Sequence, residues 1–213
     1  MRVAVLVSGR GSNMAALIDA AAEPSYPAEI VAVISNRPQA GALAIAGRAG
    51  IATAVVDHKA FPSREAFDAE LDRTIRTFSP DVVCLAGFMR LLTASFIEGW
   101  NGRLINIHPA LLPSFKGLDT HARALAAGVK LHGCTVHLVT PEVDSGPIIA
   151  QAATPVLAGD TEETLAARVL AAEHVLYPRA LKLWAEGRAR LEGDRVVVED
   201  AGEQGVRDAL LWP

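Results

Sequence analysis

Apolar runs of strand length alternate with longer stretches of helical period along the first half of the chain. "VAVLV" leads to "NMAALIDAAA", "IVAVIS" to "AGALAIAGRA", "ATAVV" to "SREAFDAELDRTIRTF", and "DVVCLA" to the shorter "TASFIEGW". The strands are near-continuous in Val, Ile and Leu, the pattern of strands buried on both faces. Repeated βα units of this kind predict a mostly parallel twisted sheet with helices on both sides. After "RLINIH" the rhythm changes. "HGCTVHLV" and "IIAQAATPV" flank a break at Gly146–Pro147, so two strands follow one another and the sheet becomes mixed toward its C-terminal half.

A long helix comes next. Asp160 is expected to cap it, with Glu163 three residues on to complete a capping box. Leu165, Val169, Ala172 and Leu176 give it a core-facing stripe, and Pro178 is expected to kink or end it. From about Arg190 the chain offers a strand or hairpin, "RVVV", and then a peripheral end. No repeat, low-complexity tract or linker divides the sequence. The pattern therefore predicts an α/β fold, a single Rossmann-like domain over 1–213, in two halves (1–100 and 101–190) with a tail at 191–213.

Composition narrows the function classes. With 51% hydrophobic and 21% charged residues and a net charge of −4, the chain reads as a soluble globular protein. The absence of any basic run argues against nucleic acid or an anionic membrane as the partner. Cys84 and Cys134 sit inside apolar stretches without C-x-x-C spacing, which predicts no metal or redox motif and fits a reducing, cytoplasmic compartment. The apolar run at the start is too short for a signal peptide or a membrane span.

"VSGRGSNMAALI" joins the first strand to the first helix. Helix N-termini carry unpaired N–H groups and partial positive charge, and glycines let an anion approach the backbone. Gly9 and Gly11 supply half of a G-x-G-x-x-G, but Met14 stands where the third glycine belongs, and no P-loop signature is present. What remains is Gly11, Ser12 and Asn13, a compact donor group suited to a phosphate monoester. Ser12 and Asn13 are also ordinary helix caps, so the loop alone supports both readings.

"INIHPALLPSFKG" carries the second candidate. Residues two apart on a strand share a face, so Asn106 and His108 project together at the carboxyl end of a strand, where ligands bind in open α/β sheets. Pro109 then ends the ladder. Downstream, Asp144 lies in "TPEVDSGPII", either a turn former or a functional carboxylate. A carboxylate beside an imidazole keeps it protonated near neutrality. An amide and an imidazolium together make good donors for a developing oxyanion. Spacing alone does not bring position 144 to position 108.

The runs "SGRGSNM", "LAGFMRLL", "INIHPALLPSFKG", "HGCTVH", "VDSGPII" and "AAEHVLYP" closely resemble the folate-dependent phosphoribosylglycinamide formyltransferases, in the same order and as far as about Trp184. The resemblance implies formyl transfer from 10-formyltetrahydrofolate, as co-substrate, to the amine of glycinamide ribonucleotide in purine synthesis, with no metal. Asn106, His108 and Asp144 match the catalytic residues. Gly11, Ser12 and Asn13 match the phosphate loop, which lies in the 1–100 half, and Glu173 matches a contact to the substrate ribose. Without the resemblance, Glu173 reads as a polar residue on the solvated side of a helix. Arg64, Met89, Arg90, Leu91 and Leu92 match folate contacts, as do Asn106 and the loop Thr140, Pro141, Glu142, Val143 and Asp144, which is expected to close over the folate. His137 reads as a strand residue near the cleft, and His58 and His174 as surface or packing residues. Lys116 could support the folate tail or solubilise its loop. A monomer or weak homodimer is expected.

Alternatives remain at this level. A formyltransferase acting on initiator tRNA is expected to carry a further C-terminal domain and a basic face. A formyltetrahydrofolate hydrolase is expected to carry an N-terminal regulatory domain, whereas here the first strand begins at residue 2. A non-catalytic, nucleotide-binding Rossmann-like domain should lack one of Asn106, His108 and Asp144.

Overall fold

The computed structural model describes residues 1–199, and the end of the expected tail, 200–213, lies outside the described residues. Five parallel strands form most of one sheet: β1 (Arg2–Val7), β2 (Glu29–Ser35), β3 (Ala52–Val55), β4 (Val82–Leu85) and β5 (Leu104–His108). β6 (Leu131–Leu138) runs antiparallel to β5, and β7 (Ile148–Pro155) antiparallel to β6. The order is β3-β2-β1-β4-β5-β6-β7, the expected mixed sheet. β8 (Ala189–Glu192) and β9 (Arg195–Val198) form the expected hairpin.

β1 shows why the strands read as continuous apolar runs. Val3, Val5 and Val7 pack into one core with Met14 and Leu17 of α1 (Ser12–Ala21) and with Leu165, Val169 and Tyr177 of α6 (Glu162–Ala185). Ala4 and Leu6 face the opposite core, against Phe67, Leu71 and Ile75 of α3 (Arg64–Thr77) and Phe96 and Ile97 of α4 (Ala94–Gly99). A period-two backbone with both faces covered needs an apolar side chain at every position. α2 (Gly41–Arg48) lies beside α1.

Three local features differ from the sequence pattern. α5 (Thr120–Ala127) was not signalled, because it buries only Thr120 and Ala124 and so shows no stripe of large apolar residues. The cap of α6 is Thr161, paired with Thr164 in a reciprocal box, not Asp160 with Glu163. Asp160 instead makes a two-pronged ion pair with Arg168, at 2.8 and 2.9 Å, and accepts the Leu157 N–H at 2.8 Å. A guanidinium fork holds a carboxylate more strongly than a backbone amide does, and this pair lowers the Asp160 pKa far below the usual range. Finally, α6 does not end at Pro178 but runs on to Ala185. Leu176, Tyr177, Ala180 and Leu181 are buried on both sides of the proline, so packing holds the helix through the missing hydrogen bond. The Tyr177 hydroxyl, 3.1 Å from the carbonyls of both Leu85 and Ile105, fastens the same turn to β4 and β5.

The pairing of β6 with β7 depends on one glycine. A Cβ at Gly133 would lie 1.9 Å from the Ala152 carbonyl oxygen. Gly133→Ala must force the two backbones apart, and urea unfolding should show a loss of at least about 2 kcal/mol, the scale of a severe overpacking.

Candidate active site

The antiparallel register of β5 and β6 sets Asn106 opposite His137 and His108 opposite Thr135. Opposed residues of a ladder point to the same face, so the four side chains form one polar group. Each strand contributes a polar-apolar-polar triplet, Asn106-Ile107-His108 and Thr135-Val136-His137. Ile107 and Val136 point away into the core.

His108 is only 5% exposed. Its Nδ1 lies 3.3 Å from Asp144 Oδ2, and its Nε2 lies 3.0 Å from the Phe115 carbonyl oxygen. Both partners are acceptors, so a ring carrying a proton on each nitrogen satisfies both. Asp144 reaches this position through a left-handed backbone (φ 49°) and accepts the Gly117 N–H at 2.9 Å. Two residues on, a Cβ at Gly146 would lie 1.8 Å from the Leu138 carbonyl oxygen. The D-S-G-P segment thus presses against β6, which carries the carboxylate to the imidazole.

His137 Nδ1 donates to the Leu138 carbonyl at 2.8 Å, and burial pushes the pKa of this ring down. The ring is therefore neutral, and its Nε2 accepts from Asn106 Nδ2 at 3.2 Å. That fixes the orientation of the Asn106 amide and leaves its second N–H free for a ligand. The 3.8 Å approach of His137 Nε2 to Asp144 Oδ1 is accordingly a contact with a neutral ring, not an ion pair. Behind His108, Thr135 Oγ1 donates to the Ala110 carbonyl at 2.7 Å and accepts the Leu112 N–H at 3.0 Å. Gln151 Nε2 donates to the Leu112 carbonyl at 2.9 Å. Together they secure the segment that leaves β5. The sequence placed Asn106, His108 and Asp144 but not these supports. His137 reads only as a strand residue near the cleft; the signal that could have found both Thr135 and His137 is the polar-apolar-polar parity of "TVH", which repeats that of "NIH".

The second group assembles at the N-terminus of α1. Gly11 is its N-cap, in left-handed conformation (φ 82°), with no side-chain cap. Neither Ser12 nor Asn13 acts as a cap, which removes the plain-cap reading. A Cβ at Gly11 would lie 2.5 Å from Ala42 Cβ, so the close fit of α2 also demands glycine. Asn13 Nδ2 donates to Glu173 Oε2 at 2.6 Å across the packed pair of α1 and α6. Glu173 is 6% exposed, not on the solvated side of its helix. Burial raises its pKa, and the Asn13 hydrogen bond opposes the rise. The buried Asn13 Oδ1 has no partner among the described residues.

The remaining positions are less closely joined. Met89 and Leu91 are exposed on the loop after β4, and Leu92 packs on the α3 core. The Arg90 guanidinium lies 4.9 Å from the Phe67 ring centre. Arg64 is exposed at the first position of α3, with no side-chain hydrogen bond among the described residues. Thr140 Oγ1 donates to the Glu142 carbonyl at 3.2 Å within the loop that holds Pro141 and Val143. Lys116 bridges this loop to the one holding Phe115, through Glu142 at 3.3 Å and Ser145 at 2.5 Å. His58 packs against the Asn36 carbonyl at 2.8 Å. His121 and His132 meet edge to face, and burial, with His121 and His108 nearby, lowers the His132 pKa to about 4. Among the described residues, no group of three or more His, Cys, Asp or Glu could hold a metal ion, and no helix is long and apolar enough to cross a membrane.

An α/β sheet with an Asn-His-Asp group at the carboxyl end of β5 defines a class, and residues 1–181 match the formyl transferase family. The chain belongs to that family. It is 48% identical to phosphoribosylglycinamide formyltransferase of Escherichia coli (strain K12) over 90% of each chain. It is 54% identical to the trifunctional purine biosynthetic protein adenosine-3 of Bos taurus over 93% of this chain, but it spans only 20% of that relative's length. The crystal structure of glycinamide ribonucleotide transformylase 1 from Symbiobacterium toebii superposes with a TM-score of 0.91, at 49% identity and 94% coverage of both chains.

The buried Glu173 carboxylate predicts a cost in stability. Glu173→Gln keeps an acceptor for Asn13 and removes the charge. At neutral pH it should raise the melting temperature by about 2–4 °C, the shift expected for about 1 kcal/mol in a domain of this size. Because the folded-state pKa of Glu173 is raised, the wild type gains stability as pH falls through that pKa toward the unfolded value. The advantage of the Gln variant should therefore shrink on acidification, as thermal melts at pH 7.5 and pH 5 would show.

Proposed function

We propose that this chain transfers the formyl group of 10-formyltetrahydrofolate to the primary amine of glycinamide ribonucleotide, a step of purine synthesis. The observation that carries this reading is the pairing of His108 with Asp144 at 3.3 Å, on the face that also holds Asn106. The substrates follow from the close similarity to the Escherichia coli enzyme over nearly its whole length.

The amine attacks the formyl carbon, and the carbonyl oxygen becomes an alkoxide. The free N–H of Asn106 and the Nε2–H of His108 are the donors that stabilise it. In this structure His108 Nε2–H is donated to the Phe115 carbonyl. An oxygen bearing full negative charge is a stronger acceptor than a peptide carbonyl and takes that proton's hydrogen bond as the charge develops. The Asp144 carboxylate faces Nδ1 and stabilises positive charge on the ring. Through a water, Asp144 also helps the proton of the attacking amine reach the departing folate nitrogen. The alkoxide then collapses, the bond from the formyl carbon to the protonated folate nitrogen breaks, and tetrahydrofolate leaves without a covalent enzyme intermediate.

In this reading Gly11, Ser12 and Asn13 hold the ribonucleotide phosphate, and Glu173 its ribose hydroxyls. The helix N-terminus supplies N–H groups for the phosphate, and ribose hydroxyls can replace Asn13 as partners of the carboxylate. Residues 89–92, Arg64, and the Thr140–Asp144 loop take the folate. The whole chain acts as one domain, its 1–100 half holding phosphate and its 101–190 half carrying the chemistry. The free, buried cysteines, whose thiol pKa values burial raises to about 12, suit a reducing cytoplasm. A monomer or weak homodimer completes the proposal.

The test is direct. Purified protein supplied with both substrates should form tetrahydrofolate product, followed by absorbance, and no product would sink the reading. His108→Ala or Asp144→Asn should lower turnover by at least about 10²-fold, the usual cost of losing an oxyanion donor. Near-normal turnover in either variant would refute the assigned roles.

A further inference from the structure

The loop between β4 and α4 is fastened from outside at both ends. Ser8, the residue after β1, donates its N–H to the Gly87 carbonyl at 3.2 Å, and its hydroxyl accepts the Met89 N–H at 2.8 Å. The same hydroxyl donates to Asn36 Oδ1 at 2.6 Å, just beyond β2. At the far end, Asp68 of α3 accepts the Thr93 N–H at 2.6 Å. Ser8, Asn36 and Asp68 are all buried. Between these pins, Arg90 lies on the ring of Phe67, the chain neighbour of Asp68.

Surface loops usually satisfy their amides with water, which leaves the backbone free to move. Here two amides of one short loop are held by buried side chains instead. Asn36 acts at one remove. By accepting the hydrogen bond of the Ser8 hydroxyl, it leaves an oxygen lone pair facing the Met89 N–H. The stiffened backbone turns two large apolar side chains outward, with Met89 60% and Leu91 56% exposed. It does so beside the carboxyl ends of β1 and β4, the point where the chain connections of the sheet reverse direction and ligands bind. Ordering such a surface before binding removes an entropic cost from the binding step.

We propose that Ser8, oriented by Asn36, and Asp68 are positioning residues that hold residues 87–93 as a preformed wall for the pterin ring of the folate. The proposal rests on the formyl-transfer reading, which puts the folate there.

The experiment combines steady-state kinetics with amide hydrogen exchange. Ser8→Ala should raise KM for 10-formyltetrahydrofolate about five- to tenfold, the factor one net hydrogen bond is worth. The KM for glycinamide ribonucleotide should stay within about twofold. Ser8→Thr, which keeps the hydroxyl, should restore the folate KM. In the wild type without ligand, the Met89 and Thr93 amides should exchange slowly, and Ser8→Ala should speed Met89 selectively. An unchanged folate KM in a folded Ser8→Ala variant would overturn the proposal. So would both KM values rising together, the mark of a merely structural role. If the variant does not fold, the wild-type amides still decide: exchange at the rate of an exposed loop overturns the proposal. Wild-type protein inactive with both substrates would instead overturn the reading beneath it, an outcome the variant kinetics cannot imitate.

Discussion

An imidazole almost wholly withdrawn from water needs its polar atoms partnered, and His108 has an acceptor facing each ring nitrogen. Much of the local backbone around the site serves that requirement. Asp144 takes a left-handed conformation, Gly117 lends an N–H to its carboxylate, and Gly146 gives up a side chain so that the strand can pass. Phe115, also left-handed, presents the second acceptor. Thr135 and Gln151 hold the segment that separates these parts. The sheet register then decides which side chains share the imidazole's face.

This dependence explains which features could be read from the sequence. Buried parallel strands announce themselves, because both faces must be apolar and the runs are unbroken. The mixed half was legible from the break at Gly146–Pro147. Helix α5 was not, since it meets the core through a threonine and an alanine. The cap of α6 was misplaced by one residue because Asp160 has a better partner in Arg168, eight positions along, and no local rule anticipates that competition. Pro178 ends helices in isolation, yet here the buried residues around it outweigh the lost bond.

The site divides in the same way. Asn106 and His108 could be paired from strand parity, since two residues on one strand need no tertiary knowledge. Asp144 needed the family resemblance, because loops fold across gaps that spacing does not measure. The contact of Asn13 with Glu173 lay further out of reach, joining the first helix to the last long one. Glu173 read as a solvated residue for a sound local reason: acidic side chains on helices commonly face water. Its burial is dictated by α1, which packs over it and supplies the amide that makes burial bearable.

The Phe115 carbonyl has one more consequence. It occupies the outward proton of the His108 ring, so any acceptor that approaches Nε2 must compete with a peptide carbonyl for it. A neutral oxygen of similar basicity gains little by that exchange, whereas an oxygen bearing full negative charge is the stronger acceptor and displaces it. The Phe115 backbone thereby sets a threshold, yielding the ring only to a partner more highly charged than an amide.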